Sequence, residues 1–303
     1  MKTFAPKYYL DFKCKKDKCK HSCCVGWEID VDNATLKIYQ NLQTPYGKII
    51  RSSIEKKPTP HFKLNPNERC PHLDENGLCK IIINEGEDYL CDICREHPRF
   101  YNVLIHGEEV GLGLSCEECC RLVLTSNSFN EFVVVSEDDF AIDEIEFDVL
   151  PYREKIYQIL LDESKSYSQK LNCIYRDFEV TPFSVSNEKW KSVISSLEFL
   201  DESRRRLFLN YAPLEINENH SKTLLRFLAY LVFRHLSKAT SKREIIGYLG
   251  FCLFCERLLN YLINSVIINS ESDLFDFARI ISEEIEYSED NTLKIVKLFL
   301  TDR

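Results

Sequence analysis

The sequence predicts a mainly α-helical (α+β) protein: a small irregular cysteine-rich metal or cluster domain with short hairpins, docked on an α-helical domain. Three observations lead there. Eleven of the fourteen cysteines fall before residue 121, in two short-spaced sets. Proline, glycine and asparagine cut the same region into short segments. From Pro151 onward, apolar residues recur at helical spacing instead. The expected division is 1–126 for the cysteine-rich domain, 127–150 for a strand and an acidic linker, and 151–303 for the helical domain.

Composition sets the outer bounds. With 303 residues and 44% apolar content, the chain can bury a sizeable core. Lys+Arg 39 against Asp+Glu 48 gives a net charge of -9, and Arg204-Arg205-Arg206 is the longest basic run. That disfavours nucleic acid, whose affinity comes from clustered cations. The longest uncharged apolar stretch, Ile245 to Cys255, is eleven residues and ends at Glu256-Arg257. A membrane span needs about 20. The sequence begins Met1-Lys2-Thr3-Phe4-Ala5-Pro6-Lys7 without an apolar leader. A soluble, cytoplasmic protein is the expectation.

Taken in order, Lys7 to Phe12 reads as an extended lead, and Val25 to Val31 alternates as a short strand does. Asp32 or Asn33 can cap a helix from Ala34 to about Leu42. Pro45, Gly47, Pro58, Pro60 and Pro66 make most of 44–67 loop, apart from a helix over Gly47 to Glu55. Asn76-Gly77 supplies a tight turn between Cys70 and Cys79, so both thiols can face one metal. Lys80 to Glu85 starts a helix, Cys91-x2-Cys94 sits on a turn or helix start, and Pro98 forces residue 97 out of the helical region. Phe100 to His106 and Glu109 to Leu114 form a second hairpin, and Ser115 with Glu118 reads as a capping box for a helix to Thr125. Phe132 to Val135 is a last strand. The acidic run Glu137 to Asp148 is a solvated linker, or an acidic lip that would attract a lysine-bearing substrate. In the helical part, Leu224, Leu225, Leu228, Leu231, Val232 and Leu236 form one stripe. Ser241 with Glu244 opens a helix to about Ile268, and Asp273 to Tyr287 and Asn291 to Leu300 close the chain.

The chemistry lies in Cys14-x4-Cys19-x3-Cys23-Cys24 and in Cys70-x8-Cys79-x11-Cys91-x2-Cys94-x21-Cys116-x2-Cys119-Cys120. Thiolates are soft ligands for zinc and for iron-sulfur clusters, and short spacing delivers several donors at low loop-closure cost. Disulfides fit a short secreted scaffold better than this chain. Plain packing suits Cys173, Cys252 and Cys255. Lys13, Lys15, Lys16, Lys18 and Lys20 alternate with the first set, as solvated charge or as cations that favour thiolates. His72 and His97 are zinc ligands, bases, or simply hydrogen-bonded structural histidines.

These residues resemble a known family, the bacterial flagellin lysine-N-methylases, within the broader set of zinc- or iron-chelating CxxCxxCC-type domains. The resemblance rests on Pro6-Lys7-Tyr8-Tyr9; on Cys14, Cys19, Cys23 and Cys24 followed by Gly26-Trp27; on Cys70-Pro71-x-Leu73 with Gly77-Leu78-Cys79; on Tyr89-Leu90 leading to Cys94-x3-Pro98-Arg99; and on Leu114-Ser115-Cys116-x-Glu118-x2-Arg121-Leu122. It covers about residues 1–125. Cys91, Cys119 and Cys120 fall outside its pattern.

What the resemblance implies is transfer of methyl groups from S-adenosylmethionine to flagellin lysines by an enzyme with an iron-sulfur cluster of the 4Fe-4S type, zinc being the alternative. The implied metal ligands are Cys14, Cys19, Cys23, Cys24, Cys70, Cys79, Cys94 and Cys116. Arg99 is the candidate partner for the methyl donor's carboxylate, or else a structural ion-pair residue. Two familiar donor-binding signatures are missing: no glycine-rich loop lies between a strand and a helix, and Cys19-x3-Cys23 runs directly into Cys24 rather than into C-x2-C. The alternative from another class is a non-catalytic zinc- or iron-sulfur-binding protein whose helices form a partner platform.

Overall fold

The computed structural model describes residues 1–137, 145–180 and 187–301. In chain order the elements are β1 Lys2–Pro6, α1 Asn33–Asn41, α2 Pro45–Ser52, β2 Ile54–Glu55, β3 His61–Phe62, α3 Lys80–Asn84, α4 Asp92–Glu96, β4 Arg99–Leu104, β5 Gly107–Leu112, α5 Glu117–Thr125, β6 Phe132–Glu137, α6 Leu150–Leu161, α7 Tyr167–Phe178, α8 Asn187–Ser196, α9 Arg205–Leu209, α10 Ser221–His235, α11 Lys242–Ser265, α12 Glu271–Ile281 and α13 Glu289–Thr301. This is a mixed α and β architecture with helices dominant.

The chain divides into two compact units: one formed by Met1–Phe12 with Phe100–Arg303, the other by Lys13–Arg99. Sequence reading drew the first boundary near 126. Strand pairing accounts for the difference. β1 runs parallel to β5 and antiparallel to β6, in a sheet ordered β4-β5-β1-β6. The first strand and the segment after residue 100 therefore share one sheet. The acidic run expected over 137–148 lies mostly at 138–144, outside the described residues.

In the 13–99 unit, local capping works as the sequence suggests. Asp32 Oδ1 accepts from Thr35 N at 2.8 Å to start α1, and Thr44 Oγ1 accepts from Gly47 N at 2.9 Å to start α2, with Pro45 in the first helical position. Gly77 turns at φ +82, while Asp74 Oδ1 accepts from Asn76 N and Leu78 N. The core gathers Ile29, Val31, Tyr39, Ile50, Phe62, Leu73 and Ile81 around Cys70 and Cys91. The short strand or extended segment expected over Val25 to Val31 does not form a continuous strand. It is reduced to isolated bridges, Val25 with Arg69 and Asp30 with His61, because Gly26 at φ +83 breaks the run.

In the other unit, α11 is the central helix and packs against α10, α12 and α13. Both Glu256 and Arg257 are buried along with its apolar residues. By length and composition alone α11 could cross a membrane, but its apolar window is 89% buried inside the unit, as in a core helix. It ends at Ser265 rather than Ile268, and Ser241 Oγ accepts from Glu244 N while the Glu244 carboxylate accepts from Thr240 rather than from Ser241. A capping box is likewise missing at α5: Cys116, not Ser115, is the N-cap. Glu118 thus stands one position too early to reach back, and it pairs with Arg121 instead.

Close helix packing depends on a glycine. A Cβ added at Gly250 would lie 2.4 Å from Cγ of the Phe299 ring on α13. Gly250→Ala is expected to destabilise this unit by about 1–3 kcal/mol despite alanine's better helix propensity, since a rigid ring must move. Urea unfolding followed by circular dichroism checks it. An unchanged midpoint would mean that α13 shifts at no cost.

Candidate metal centre

Five thiols converge in the 13–99 unit through its backbone connections. Cys70 N donates to Cys24 O at 2.8 Å, which fixes the end of the first cysteine set against the second. Leu73 N donates to Cys70 O and Lys80 N to His72 O, while Leu73 bridges to Cys79, so the Asn76-Gly77 turn returns Cys79 beside Cys70. Cys91 caps α4, and Cys94 N donates to Cys91 O at 3.0 Å, the first turn of a short helix presenting both sulfurs. Cys70 and Cys91 are buried; Cys24, Cys79 and Cys94 are half-buried.

Their ionisation is mutually dependent. The Cys23 thiol beside Cys24 holds Cys24 down at about 7 against the effect of burial. A hydrogen bond from Cys94 lowers Cys91 and correspondingly raises Cys94. Burial pushes Cys70 up to about 12, with Cys24, Cys79 and Cys91 adding repulsion. Cys79 is raised by burial, then by Cys24 and Cys91. These thiols cannot all become thiolates without a compensating cation. A soft metal ion or an iron-sulfur core would supply such charge. Among the described residues, no group of three or more histidine, cysteine, aspartate or glutamate side chains is placed so that it could hold a metal ion.

The surroundings hold these cysteine-bearing segments in place. His72 is fully buried, with Nδ1 2.9 Å from Tyr46 OH and Nε2 2.9 Å from Ser53 Oγ. Burial lowers it to about 4, so it is a neutral ring with both nitrogens engaged, the structural role among the readings the sequence left open. Tyr39 OH donates to Tyr89 O at 2.5 Å and fastens the segment before Cys91. His97 is likewise lowered to about 4 by burial.

Of the eight expected ligands, Cys24, Cys70, Cys79 and Cys94 come within mutual influence, together with Cys91, which the resemblance left aside. Cys14 is exposed and its Sγ accepts from Lys16 N at 3.4 Å. Cys19 is half-buried, and Cys23 is exposed beside Cys24. Cys116 belongs to the other unit, where it contacts Cys119. Arg99 donates to Arg95 O at 3.4 Å, a backbone partner.

Sequence reading missed a buried charge network in the larger unit. A π-helical turn over Ser282–Glu286 follows α12 and points Glu286 inward. Glu286 Oε1 accepts from Tyr230 OH at 2.7 Å and from His235 Nε2 at 3.0 Å, and lies 3.2 Å from Arg234 Nε. Arg234 sits 4.6 Å from the centres of both the Phe100 and the Tyr287 rings. A second buried pair joins Arg153 to Glu109 through two bonds of 2.5 and 2.6 Å.

Comparison with known proteins gives partial similarity. The lysine-N-methylases of Salmonella choleraesuis (strain SC-B67) and Salmonella typhimurium (strain LT2) are each 30% identical to this chain over 126 residues, 39% of this chain and 31% of each relative. The flagellar biosynthetic protein FliU of Salmonella muenchen is 28% identical over 170 residues, 54% of this chain and 93% of that protein. No family model and no solved structure matches the chain. The chain spans about a third of the length of the curated lysine-N-methylases it matches, 31% of each, so what it shares with them is a distant, partial relationship.

Proposed function

We propose that this protein is an S-adenosylmethionine-dependent protein-lysine N-methyltransferase acting on flagellin, with an iron-sulfur cluster of the 4Fe-4S type held by thiolates drawn from Cys24, Cys70, Cys79, Cys91 and Cys94. The observation that carries the metal part is that Cys24, Cys70, Cys79, Cys91 and Cys94 pack into one cluster, with Cys70 and Cys91 buried and the other three half-buried. The similarity to proteins named lysine-N-methylase and FliU supports the activity and the flagellar substrate. A cluster held by these thiolates would supply positive charge and Lewis acidity toward polar groups of the methyl donor. The protein's own task is to take the substrate amine as the neutral form, exclude water around it, and align it in line with the methylsulfonium carbon. The carbon–sulfur bond breaks as the nitrogen–carbon bond forms, and the amine's proton leaves to a base or to water.

Anaerobic purification followed by iron, sulfide and zinc analysis tests the first part, and transfer of labelled methyl groups to flagellin tests the second. Comparable iron and sulfide together with labelled flagellin lysines is the expected result. Stoichiometric zinc without iron, and no label on flagellin, would replace this reading with a non-catalytic zinc-binding protein.

A further inference from the structure

The strongest local excess of positive charge lies on the loop that opens the 13–99 unit. Lys13, Lys15, Lys16, Lys18 and Lys20 are interrupted by a single carboxylate, Asp17, in a protein whose net charge is -9. Lys13, Lys16, Lys18 and Lys20 are exposed, and Lys15 is half-buried. The loop is folded. Lys16 N donates to Cys14 Sγ at 3.4 Å, Lys18 N to Lys15 O at 3.1 Å and Cys19 N to Lys16 O at 3.2 Å, closing a tight turn over Lys16–Lys18. Lys16 takes φ +56 in this turn, a left-handed conformation unfavourable to a residue with a Cβ. Such a conformation persists only where its surroundings hold it.

The loop lacks counter-charge. Exposed lysines elsewhere find carboxylates, as Lys7 does with Glu131 at 2.9 Å, Lys63 with Glu55 at 3.3 Å and Lys155 with Asp177 at 3.5 Å. Among the described residues, Lys13, Lys16 and Lys18 form no ion pair. Between residues 13 and 20 there is no aliphatic or aromatic side chain to insert into a lipid surface. The loop also lies beside an acidic turn: a Cβ added at Gly77 would be 3.7 Å from Asp17 Cα, and that turn carries Asp74 and Glu75. Positive potential is therefore confined to one short segment. A nucleic-acid backbone, with a phosphate at every step, would run from the lysines onto these carboxylates. A short acidic stretch of polypeptide would not.

We propose that the 13–20 loop is a docking surface for an acidic segment of a partner protein, whose carboxylates meet Lys13, Lys16 and Lys18. Each exposed contact contributes little alone, and several together set the encounter rate and the partner's orientation. Because the protein as a whole repels polyanions, capture of an acidic peptide requires such a local surface. The inference lies outside the methyltransferase reading and does not depend on it.

The full chain, purified anaerobically, is titrated against a fluorescein-labelled hexaglutamate peptide, and binding is followed by anisotropy at about 20 mM and about 300 mM sodium chloride. The peptide is expected to bind at low salt and to be released at high salt. Lys13→Glu, Lys16→Glu and Lys18→Glu together should weaken binding by about tenfold or more, and the corresponding three Gln substitutions by less. Lys191→Glu, Lys242→Glu and Lys297→Glu together, exposed changes in the larger unit with the same effect on net charge, should keep affinity within about twofold. Absence of binding at low salt, or equal weakening by both charge-reversed sets, would overturn the proposal. So would stronger binding to a hexathymidylate oligonucleotide or to phosphatidylserine vesicles than to the peptide. Metal content is measured on every variant: loss of iron or zinc with the loop's lysines would mean that these cations serve the thiolates, and would overturn it as well.

Discussion

Glu286→Gln is expected to cost the larger unit about 3–5 kcal/mol, enough to leave it largely unfolded if its stability is ordinary. Glu286 is 3% exposed and meets Tyr230, His235 and Arg234 together. An amide retains some hydrogen bonds but leaves the Arg234 guanidinium buried between two aromatic rings without its counter-charge. Replacing both Arg234 and Glu286 by leucine should cost less than the sum of the single changes, because the uncompensated charge disappears with the pair. Each unit has one tryptophan, Trp27 and Trp190. In a Trp27→Phe background, urea unfolding read by Trp190 fluorescence therefore reports the larger unit. A shift worth under about 1 kcal/mol would mean that solvent reaches the site.

The same network sets an acid limit. Burial alone would raise the Glu286 carboxyl, but Arg234, His235 and Tyr230 outweigh it and hold it at about 2. Burial lowers His235 to about 4 despite its bond to Glu286. Both folded values lie below the reference values of 4.5 and 6.5, so both groups contribute stability at neutral pH that is lost on acidification. The His235 contribution fades as pH falls from about 6.5 to about 4, and that of Glu286 from about 4.5 to about 2, each on the order of 3 kcal/mol. Arg234, Tyr230, Cys120 and Cys252 also feel this carboxylate, and Tyr287 faces Arg234. The Trp190 urea midpoint should fall steadily below pH 6.5.

Local signals were legible where the interaction is local. The Asp32 cap, the Asn76-Gly77 turn, the hairpin around His106-Gly107 and the stripe on α10 each depend on residues a few positions apart. The helix break before Pro98 belongs with them, since His97 has the extended ψ of 132 that a following proline demands. What the sequence did not reveal is long-range or register-dependent. β1 pairs with strands more than one hundred residues away, so residues 1–12 were grouped with the nearby cysteines instead. The sequence reads Asp273 to Tyr287 as one helical segment, with nothing to mark a π-helical turn inside it. The π-helical turn over Ser282–Glu286 carries both Glu284 and Glu286 inward. At α5, a capping box read one position early misplaced the N-cap, and with it the closeness of Cys116 to Cys119.

Cys91→Ser is expected to strip iron from the protein as completely as Cys24→Ser or Cys70→Ser, whereas Cys14→Ser should keep most of it and Cys173→Ser all of it. Family resemblance makes Cys14 a ligand and leaves Cys91 out; the structure buries Cys91 against the other thiols and leaves Cys14 exposed. Stability does not separate the two arrangements. A buried serine hydroxyl without a partner costs about 1–3 kcal/mol at position 70 or 91 whether or not metal is bound. Iron and sulfide per chain, measured anaerobically on folded protein, does separate them, because losing one thiolate from a four-iron cluster removes a ligand that no neighbouring carboxylate or histidine replaces well. His72 cannot step in, as Tyr46 and Ser53 already occupy both its ring nitrogens. If Cys91→Ser keeps its iron while Cys14→Ser loses it, the centre lies at the exposed end of the 13–99 unit and the buried thiols are packing.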